Sequence, residues 1–408
     1  MANASFEVLE EGQVTAPKGF RAGGLHCGLK KTERHDLGVI LCEVPASAAA
    51  VYTTNLFQAA PLKITRESLA QGGTLRAVVV NSGNANACTG QQGEEDARKM
   101  RSAMAAALGV SEHEVAVGST GVIGELLPME KVLNGIERLP AVISPNGSDD
   151  FCQAILTTDL VKKTASSKVL VDGKEVIISG AAKGSGMIHP NMATMLGFMT
   201  TDAQIESSVL QSLLREVTNV TFNMITVDGD TSTNDMLVAM ASGLAGNNPL
   251  TPQHPDWQAF ADAFRYVAEV LAKAIARDGE GATKLVEVRV TGAPTTDGAR
   301  AIAKTIMGSS LVKTALFGAD ANWGRIIACV GRAGVQVSTE KVDIAVGDFK
   351  VLEQSAPVPF DDDAACEYLK VADLVHIQVD LNDGPGSAVA WGCDLTYEYV
   401  RINAAYRT

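Results

Sequence analysis

No run of apolar residues approaches the ~20 that a bilayer-spanning helix needs, and the opening Met-Ala-Asn-Ala-Ser-Phe-Glu-Val-Leu-Glu-Glu lacks the charged-then-apolar order of a secretion signal. A membrane protein is not expected, and a cytoplasmic one is. Basic charge is in deficit too: 34 Lys and Arg against 47 Asp and Glu give a net charge of −13 and a pI near 5.0. With no basic run interleaved with aromatics, nucleic acid is not expected as a partner, because neutralising phosphates requires a positive surface. The seven cysteines, Cys27, Cys42, Cys88, Cys152, Cys329, Cys366 and Cys393, are odd in number and include no Cys-x-x-Cys pair. That usage fits reduced thiols packed as small hydrophobes, not a disulfide framework. No second histidine stands at metal-ligand spacing from His189, so no metal is expected. Repeats, low-complexity tracts and Pro/Ser linkers are also missing. Any boundary must then be one of packing, and the segment near 282–284 is the candidate.

What is present is the material of a large globular protein, with 46% hydrophobic and 20% charged residues. Two apolar runs between Gly38 and Thr54, with a break beginning at Pro45, predict a strand pair, and Leu75–Asn81 predicts a buried strand that empties into the small-residue loop Ser-Gly-Asn-Ala-Asn-Ala-Cys-Thr-Gly. Such a loop is a common place for ligand contacts. Helical periodicity marks 92–108, 207–217, 257–277 and 298–306, and Asp172-Gly173 between two β-rich runs marks a hairpin. Further strands are expected at 284–292, 325–330, 375–380 and through 387–403. Strands alternating with long helices give an α/β fold class. The apolar run 115–124 ends in glycines spaced as G-x-x-G-x-x-G, neither a dinucleotide nor a phosphate-loop signature. Such a turn either aims backbone N–H groups at a ligand, as an oxyanion hole requires, or merely joins a strand to a helix.

The stretch from Lys183 to Asp202 is too broken by three glycines and Pro190 for a regular element, yet too apolar for a solvated loop. Thr194 lies inside it, directly after the small Ala193. A threonine hydroxyl is a weak nucleophile unless a base adjoins it, and a free α-amine on the same residue, with a pKa of roughly 7.7–8.0, is one solution. Thr194 would gain that amine only if the Ala193–Thr194 bond were cut; otherwise it is a structural threonine. Asp228, Asp230, Ser232 and Asn234 alternate like calcium ligands but lack the glycine and final glutamate of an EF-hand, so a hydrogen-bonded turn is expected. His189 reads as a packed histidine and Lys183 as a point charge for an anionic substrate or a solvated turn residue.

The run Lys-Gly-Ser-Gly-Met-Ile-His-Pro-Asn-Met-Ala-Thr-Met-Leu resembles the self-cleavage site of the ornithine acetyltransferases, also called glutamate N-acetyltransferases, of arginine biosynthesis. The resemblance extends to Asn-Ser-Gly-Asn-Ala-Asn-Ala-Cys-Thr-Gly at 81–90, Ser-Thr-Gly-Val-Ile-Gly at 119–124, Thr-Val-Asp-Gly-Asp-Thr-Ser-Thr-Asn-Asp at 226–235, Asp-Ala-Asn-Trp-Gly-Arg at 320–325 and the closing Ile-Asn-Ala-Ala-Tyr-Arg-Thr. It implies a layered α-β-β-α sandwich of the self-cleaving N-terminal-nucleophile type with a smaller strand-rich C-terminal part. Cleavage between Ala193 and Thr194 would give fragments 1–193 and 194–408, with 194–282 completing the catalytic core and 283–408 forming the C-terminal part. The fragments would stay associated, commonly as a tetramer of two of each. Thr194 is then the nucleophile, Thr120 and Gly121 the oxyanion hole, and Thr157, Lys183, Thr194, Glu280, Asn403 and Thr408 the substrate contacts. The implied reaction moves acetyl from N-acetylornithine to glutamate through an acetyl-Thr194 intermediate, without a cofactor. Some members of that family also take acetyl-CoA, which makes it a candidate co-substrate. Two readings remain beside this one: a self-cleaved aminopeptidase or amidase, in which water resolves the acyl-enzyme, and a non-enzymatic anion-binding protein.

Overall fold

The computed structural model describes residues 5–189 and 195–405. Two compact units share the chain: Met1–Gly184, Pro190–Asn223 and Thr231–Leu271 make the first, and Ser185–His189, Met224–Asp230 and Ala272–Thr408 the second. Each draws on segments distant in sequence.

The first unit is built on strands β1 (Phe6–Leu9), β2 (Phe20–Leu25), β3 (Leu37–Tyr52), β4 (Thr74–Asn84), β5 (Val115–Val122), β6 (Lys163–Val171), β7 (Lys174–Lys183) and β8 (Leu196–Thr201); after β9 (Ile225–Thr226), which belongs to the second unit, comes β10 (Met236–Ala241). Their order is β1-β6-β7-β8-β10-β3-β4-β5, with β2 also paired to β3. The β-branched run of β4 sits inside the sheet, and both of its faces are covered. Val78 and Val80 join the cluster around Ile40, Phe151 and Phe198, while Val79 joins Met100, Met104 and Val117. Helices Ala60–Ala70 and Gly90–Leu108 supply the second cluster's cover. The predicted hairpin is there: β6 and β7 pair from Lys163↔Ala182 to Val171↔Lys174, and Asp172 and Gly173 take the positive φ values, 52° and 70°, of a two-residue turn.

Three expectations are corrected. The two runs around Pro45 form one strand, β3, because the ladder to β4 absorbs the proline at an irregularity between Leu41 and Ala46. The run 325–330 is not a strand but part of helix Trp323–Arg332; Asn322 caps it by accepting from the Arg325 N–H, and Ile326, Cys329 and Val330 are buried at helical spacing. The segment 387–403 divides into a strand ending at Cys393 and helix Tyr397–Ala404, begun by Thr396, whose side chain accepts from Glu398 N.

The second unit carries β9 with β11 (Leu285–Ala293), β12 (Asp343–Val346), β13 (Phe349–Glu353), β14 (Ala356–Pro357), β15 (Leu374–Asp380) and β16 (Gly386–Cys393), in the order β14-β13-β12-β15-β11-β16-β9. Period-two alternation buries Val286, Val288 and Val290 of β11 with Val375, Ile377 and Val379 of β15. Helix Thr296–Met307 packs on β11 and β16 and buries Ile302 and Ile306. The α/β class expected from the sequence is the one adopted.

Candidate active site

In the first unit, parallel strands β4 and β5 end side by side, with Ser82 opposite Thr120 and Gly83 opposite Gly121. Gly121 has φ +136°, and a Cβ there would fall 2.3 Å from the Gly83 carbonyl carbon and 2.5 Å from Asn84 N. No larger residue fits without moving the neighbouring strand. Around this corner the asparagines of the small-residue loop turn inward to brace backbone. Asn81 Nδ2 donates to Asn84 O at 2.9 Å, Asn86 Nδ2 to Gly93 O at 2.9 Å, and Ser119 Oγ to Asn81 Oδ1 at 2.6 Å. Asn234 Nδ2 ties the Ala85 and Ser119 carbonyls together at 2.5 and 2.9 Å. The ligand loop expected from the sequence is thus largely a scaffold that fixes where Thr120 and Gly121 stand.

Lys183, the last residue of β7, reaches the same corner. Its Nζ donates to Thr157 Oγ1 at 2.7 Å and to Thr120 Oγ1 at 3.2 Å, and lies 4.0 Å from Asp159 Oδ2. Three predicted residues from three separate segments therefore meet at one ammonium group. Thr157 supplies the hydroxyl that meets it at 2.7 Å. Asp159, which sequence reading did not single out, organises this arrangement: Oδ1 accepts from Lys163 Nζ and Gly184 N, both at 2.7 Å, and Oδ2 accepts from Thr157 N at 3.1 Å. Burial by itself would raise its pKa, but the charges of Lys183 and Lys163, with the hydrogen bonds from Lys163 and Gly184, hold it down to about 2. The signal was available as an Asp159-to-Lys163 spacing of four, but spacing does not report burial.

Asp235 is a second missed acid. It is buried, and its Oδ2 has no hydrogen-bond partner among the described residues. Burial raises its pKa well above the ordinary 3.8, against the opposing effects of Ser232 hydrogen bonding and the Lys183 charge.

In the second unit Glu280 is buried and accepts from Asn403 Nδ2 at 2.7 Å, so two further predicted residues are brought together. Gly186 lies against the Glu280 carboxyl, where a Cβ would come within 2.4 Å. Asp228 accepts from Met187 N, Ile188 N and Asp230 N at 2.6, 2.9 and 3.3 Å, and from Tyr399 Oη at 3.3 Å. Those bonds make the expected hydrogen-bonded turn. Thr226 gives its hydroxyl proton to Ile188 O, so His189 Nδ1, 3.0 Å away, is assigned as the donor to Thr226 Oγ1. Burial, reinforced by the Lys304 charge, lowers the His189 pKa to about 4 and keeps the ring neutral at pH 7. Ala193, Thr194 and Thr408 lie outside the described residues.

Among the described residues one group, Asp172, His254 and Asp256, has the ligand atoms for a metal. His254 Nδ1 accepts from Asp256 N at 3.1 Å, which leaves the proton on Nε2, facing Asp172. The group is a hydrogen-bonded clasp at the β6–β7 hairpin.

The ArgJ family model matches residues 21–408. The chain belongs to the ArgJ family. It is 59% identical over 405 residues to the arginine biosynthesis bifunctional protein ArgJ of Geobacillus kaustophilus strain HTA426, covering 99% of this chain and 98% of that one. It is 56% identical over 397 residues to the same-named protein of Bacillus subtilis strain 168, covering 97% of each. Among solved structures, a crystal structure of the Bacillus halodurans ArgJ protein is 59% identical, with a TM-score of 0.50, and covers 51% of this chain and 97% of that one. An ornithine acetyltransferase from Mycobacterium tuberculosis, complexed with ornithine, is 40% identical with a TM-score of 0.43 and covers 46% of this chain and 100% of that one. As a member of this family the chain is an acyltransferase.

Proposed function

We propose that this ArgJ-family chain cuts itself between Ala193 and Thr194 into fragments of 193 and 215 residues and then transfers acetyl from N-acetylornithine to glutamate in arginine biosynthesis. The observation that carries the reading is the single ammonium group of Lys183 bound to both Thr157 and Thr120. It sets a cation for a substrate α-carboxylate beside the turn that would hold the oxyanion. The B. halodurans chain supports the cleavage, since about half of this chain accounts for 97% of that one.

In the proposed sequence Thr194 Oγ attacks the acetyl carbonyl, and negative charge develops on its oxygen toward Thr120 and Gly121. The Thr194 α-amine takes the hydroxyl proton and passes it to the leaving nitrogen as the C–N bond breaks. Ornithine departs, and the amine of glutamate attacks the acetyl-Thr194 ester in the reverse order of proton transfers. Glu280, held by Asn403, is assigned to a substrate ammonium group, and Thr408 to a further contact. No cofactor is required, because the first half-reaction converts an amide into the acetyl-Thr194 ester with release of an amine and the second converts that ester into a new amide; acetyl-CoA serves as a second donor in the same scheme. The two fragments are proposed to remain together as a tetramer of two of each, in the cytoplasm.

Intact-mass measurement tests the cut directly. Wild type should give two masses and Thr194→Ala one full-length, inactive chain; a single full-length mass from fully active wild type overturns the proposal. Acetate release from N-acetylornithine at the same rate with and without glutamate would instead make the enzyme an amidase.

A further inference from the structure

Strand β9, Ile225–Thr226, lies at one edge of the second sheet, where it runs parallel to β16 with Ile225 beside Trp391 and Thr226 beside Gly392. It and the residues just after it grip a segment distant in sequence. Asp228 accepts the N–H groups of Met187 and Ile188 at 2.6 and 2.9 Å, shorter than the 3.3 Å bonds it takes from Asp230 N in its own turn and from Tyr399 Oη. Ile188 O accepts from Val227 N at 2.7 Å and from Thr226 Oγ1 at 3.1 Å, which occupies both lone pairs of that carbonyl. Thr226 Oγ1 in turn accepts from His189 Nδ1, and Ser185 O accepts from Glu280 N at 2.9 Å. Met187 is held at φ +54°, a left-handed conformation that side chains disfavour and that persists only where its surroundings fix it.

The clasped segment ends at His189, four residues ahead of Ala193. Residues 185–189 are what the proposed fragment 1–193 contributes to the second unit; the rest of that unit, 224–230 and 272–408, belongs to the fragment 194–408. Holding the fragments together does not need this clasp. Strand β7 of the one already pairs with β8 of the other from Ile178↔Thr201 to Lys183↔Leu196, and β3 pairs with β10 from Tyr52↔Met236 to Ser47↔Ala241. What the clasp adds is a fixed approach of the chain to the bond that is to be cut.

We propose that Asp228 and Thr226 are positioning residues for the cut, holding 185–189 so that the Ala193 carbonyl is presented to Thr194 Oγ. This rests on the self-cleavage proposed above. In that step Thr194 Oγ bonds to the Ala193 carbonyl carbon, the C–N bond breaks, and the hydroxyl proton ends on the freed nitrogen. Water then hydrolyses the ester, leaving the Ala193 carboxylate, the Thr194 hydroxyl and amine, and one proton released to solvent. Asp228 and Thr226 exchange no proton in this sequence. They remove freedom from the chain on the carbonyl side, and a reaction within one chain depends steeply on how often its two groups meet in line.

The test follows intact mass with time after cell-free synthesis of the full chain as wild type, Asp228→Asn, Thr226→Val and Thr226→Ser, with Thr194→Ala as the uncut standard. Asn offers one acceptor oxygen where Met187 and Ile188 need two, and Val keeps the shape of Thr without its hydroxyl. Cutting should slow about tenfold or more in Asp228→Asn and about threefold or more in Thr226→Val, while Thr226→Ser should restore the wild-type rate. Transfer of acetyl from N-acetylornithine to glutamate, counted per cut chain, should stay within about threefold of wild type, and the cut fragments should elute together in gel filtration. Variants that cut as fast as wild type overturn the role of the clasp. So does a Thr226→Val that loses transfer per cut chain as much as it loses cutting, or a Thr226→Ser as slow as Thr226→Val, since either marks general damage to the fold. Should Asp228→Asn not fold, the Thr226 pair decides alone. A wild type that never cuts overturns the proposed function and this role with it, whereas a wild type that cuts beside equally fast variants overturns only the clasp.

Discussion

Replacing Asp159 by Asn removes one charge from a site that holds two buried lysines. The carboxylate accepts from Lys163 Nζ, Gly184 N and Thr157 N and faces Lys183. The Lys163 and Asp159 side chains are both 0% exposed. Breaking a buried ion pair from one side costs about 3–5 kcal/mol, because the remaining charge keeps its desolvation penalty. The pH dependence gives an independent figure. A carboxyl at about 2 in the folded chain, against an ordinary 3.8, contributes about 2 kcal/mol at neutral pH. Since the folded pKa is the lower one, that stability is complete above the unfolded value and is lost as the pH falls from about 5 to about 2. Urea unfolding at pH 7 should show Asp159→Asn less stable by about 3 kcal/mol, with the gap closing toward pH 3. The double variant Asp159→Leu/Lys163→Met should recover only the part of the loss due to Lys163, because Lys183, Gly184 N and Thr157 N still lose the carboxylate. A pH-independent difference below about 1 kcal/mol would refute the assignment of Asp159 as the ionised centre of this corner.

Other perturbations separate scaffold from chemistry. Lys183→Met should raise the KM for N-acetylornithine by about tenfold or more in steady-state assays, as expected for loss of a charge-assisted carboxylate contact; an unchanged KM would remove Lys183 from substrate binding. Gly121→Ala should lower the thermal midpoint and cost about 2 kcal/mol or more, since its new methyl meets the Gly83–Asn84 backbone in a strained conformation. Asp235→Asn should gain stability relative to wild type as the pH rises above about 4, by at most about 1.4 kcal/mol per pH unit in denaturation series. The folded pKa of Asp235 is raised, so its burial costs nothing while both states are protonated, and the cost grows once the unfolded chain ionises.

Regular elements and chemistry-bearing residue types could be read from the chain because local rules govern them. The valine run of β4, the Asp172-Gly173 turn and the periodic face of helix Trp257–Arg277, with Phe260, Phe264, Val267 and Leu271 buried, follow from side-chain period and turn chemistry. Where local signals conflicted, packing decided. Ile326, Cys329 and Val330 fit a short strand or a helix face, and the Asn322 cap with burial at helical spacing selected the helix. Pro45 reads as a break until an irregular ladder accommodates it. The long motifs identified the family and, as candidate site residues, pointed to Thr120, Gly121, Thr157, Lys183, Glu280 and Asn403. What they could not supply is which atoms meet. That Lys183 joins Thr157 to Thr120, that Asp159 stays ionised among buried lysines, and that burial raises the Asp235 pKa depend on distances between residues far apart in the chain and on the removal of water from around them. Both arise only when separate segments close on one another, because burial sets the strength of every charge interaction in the site.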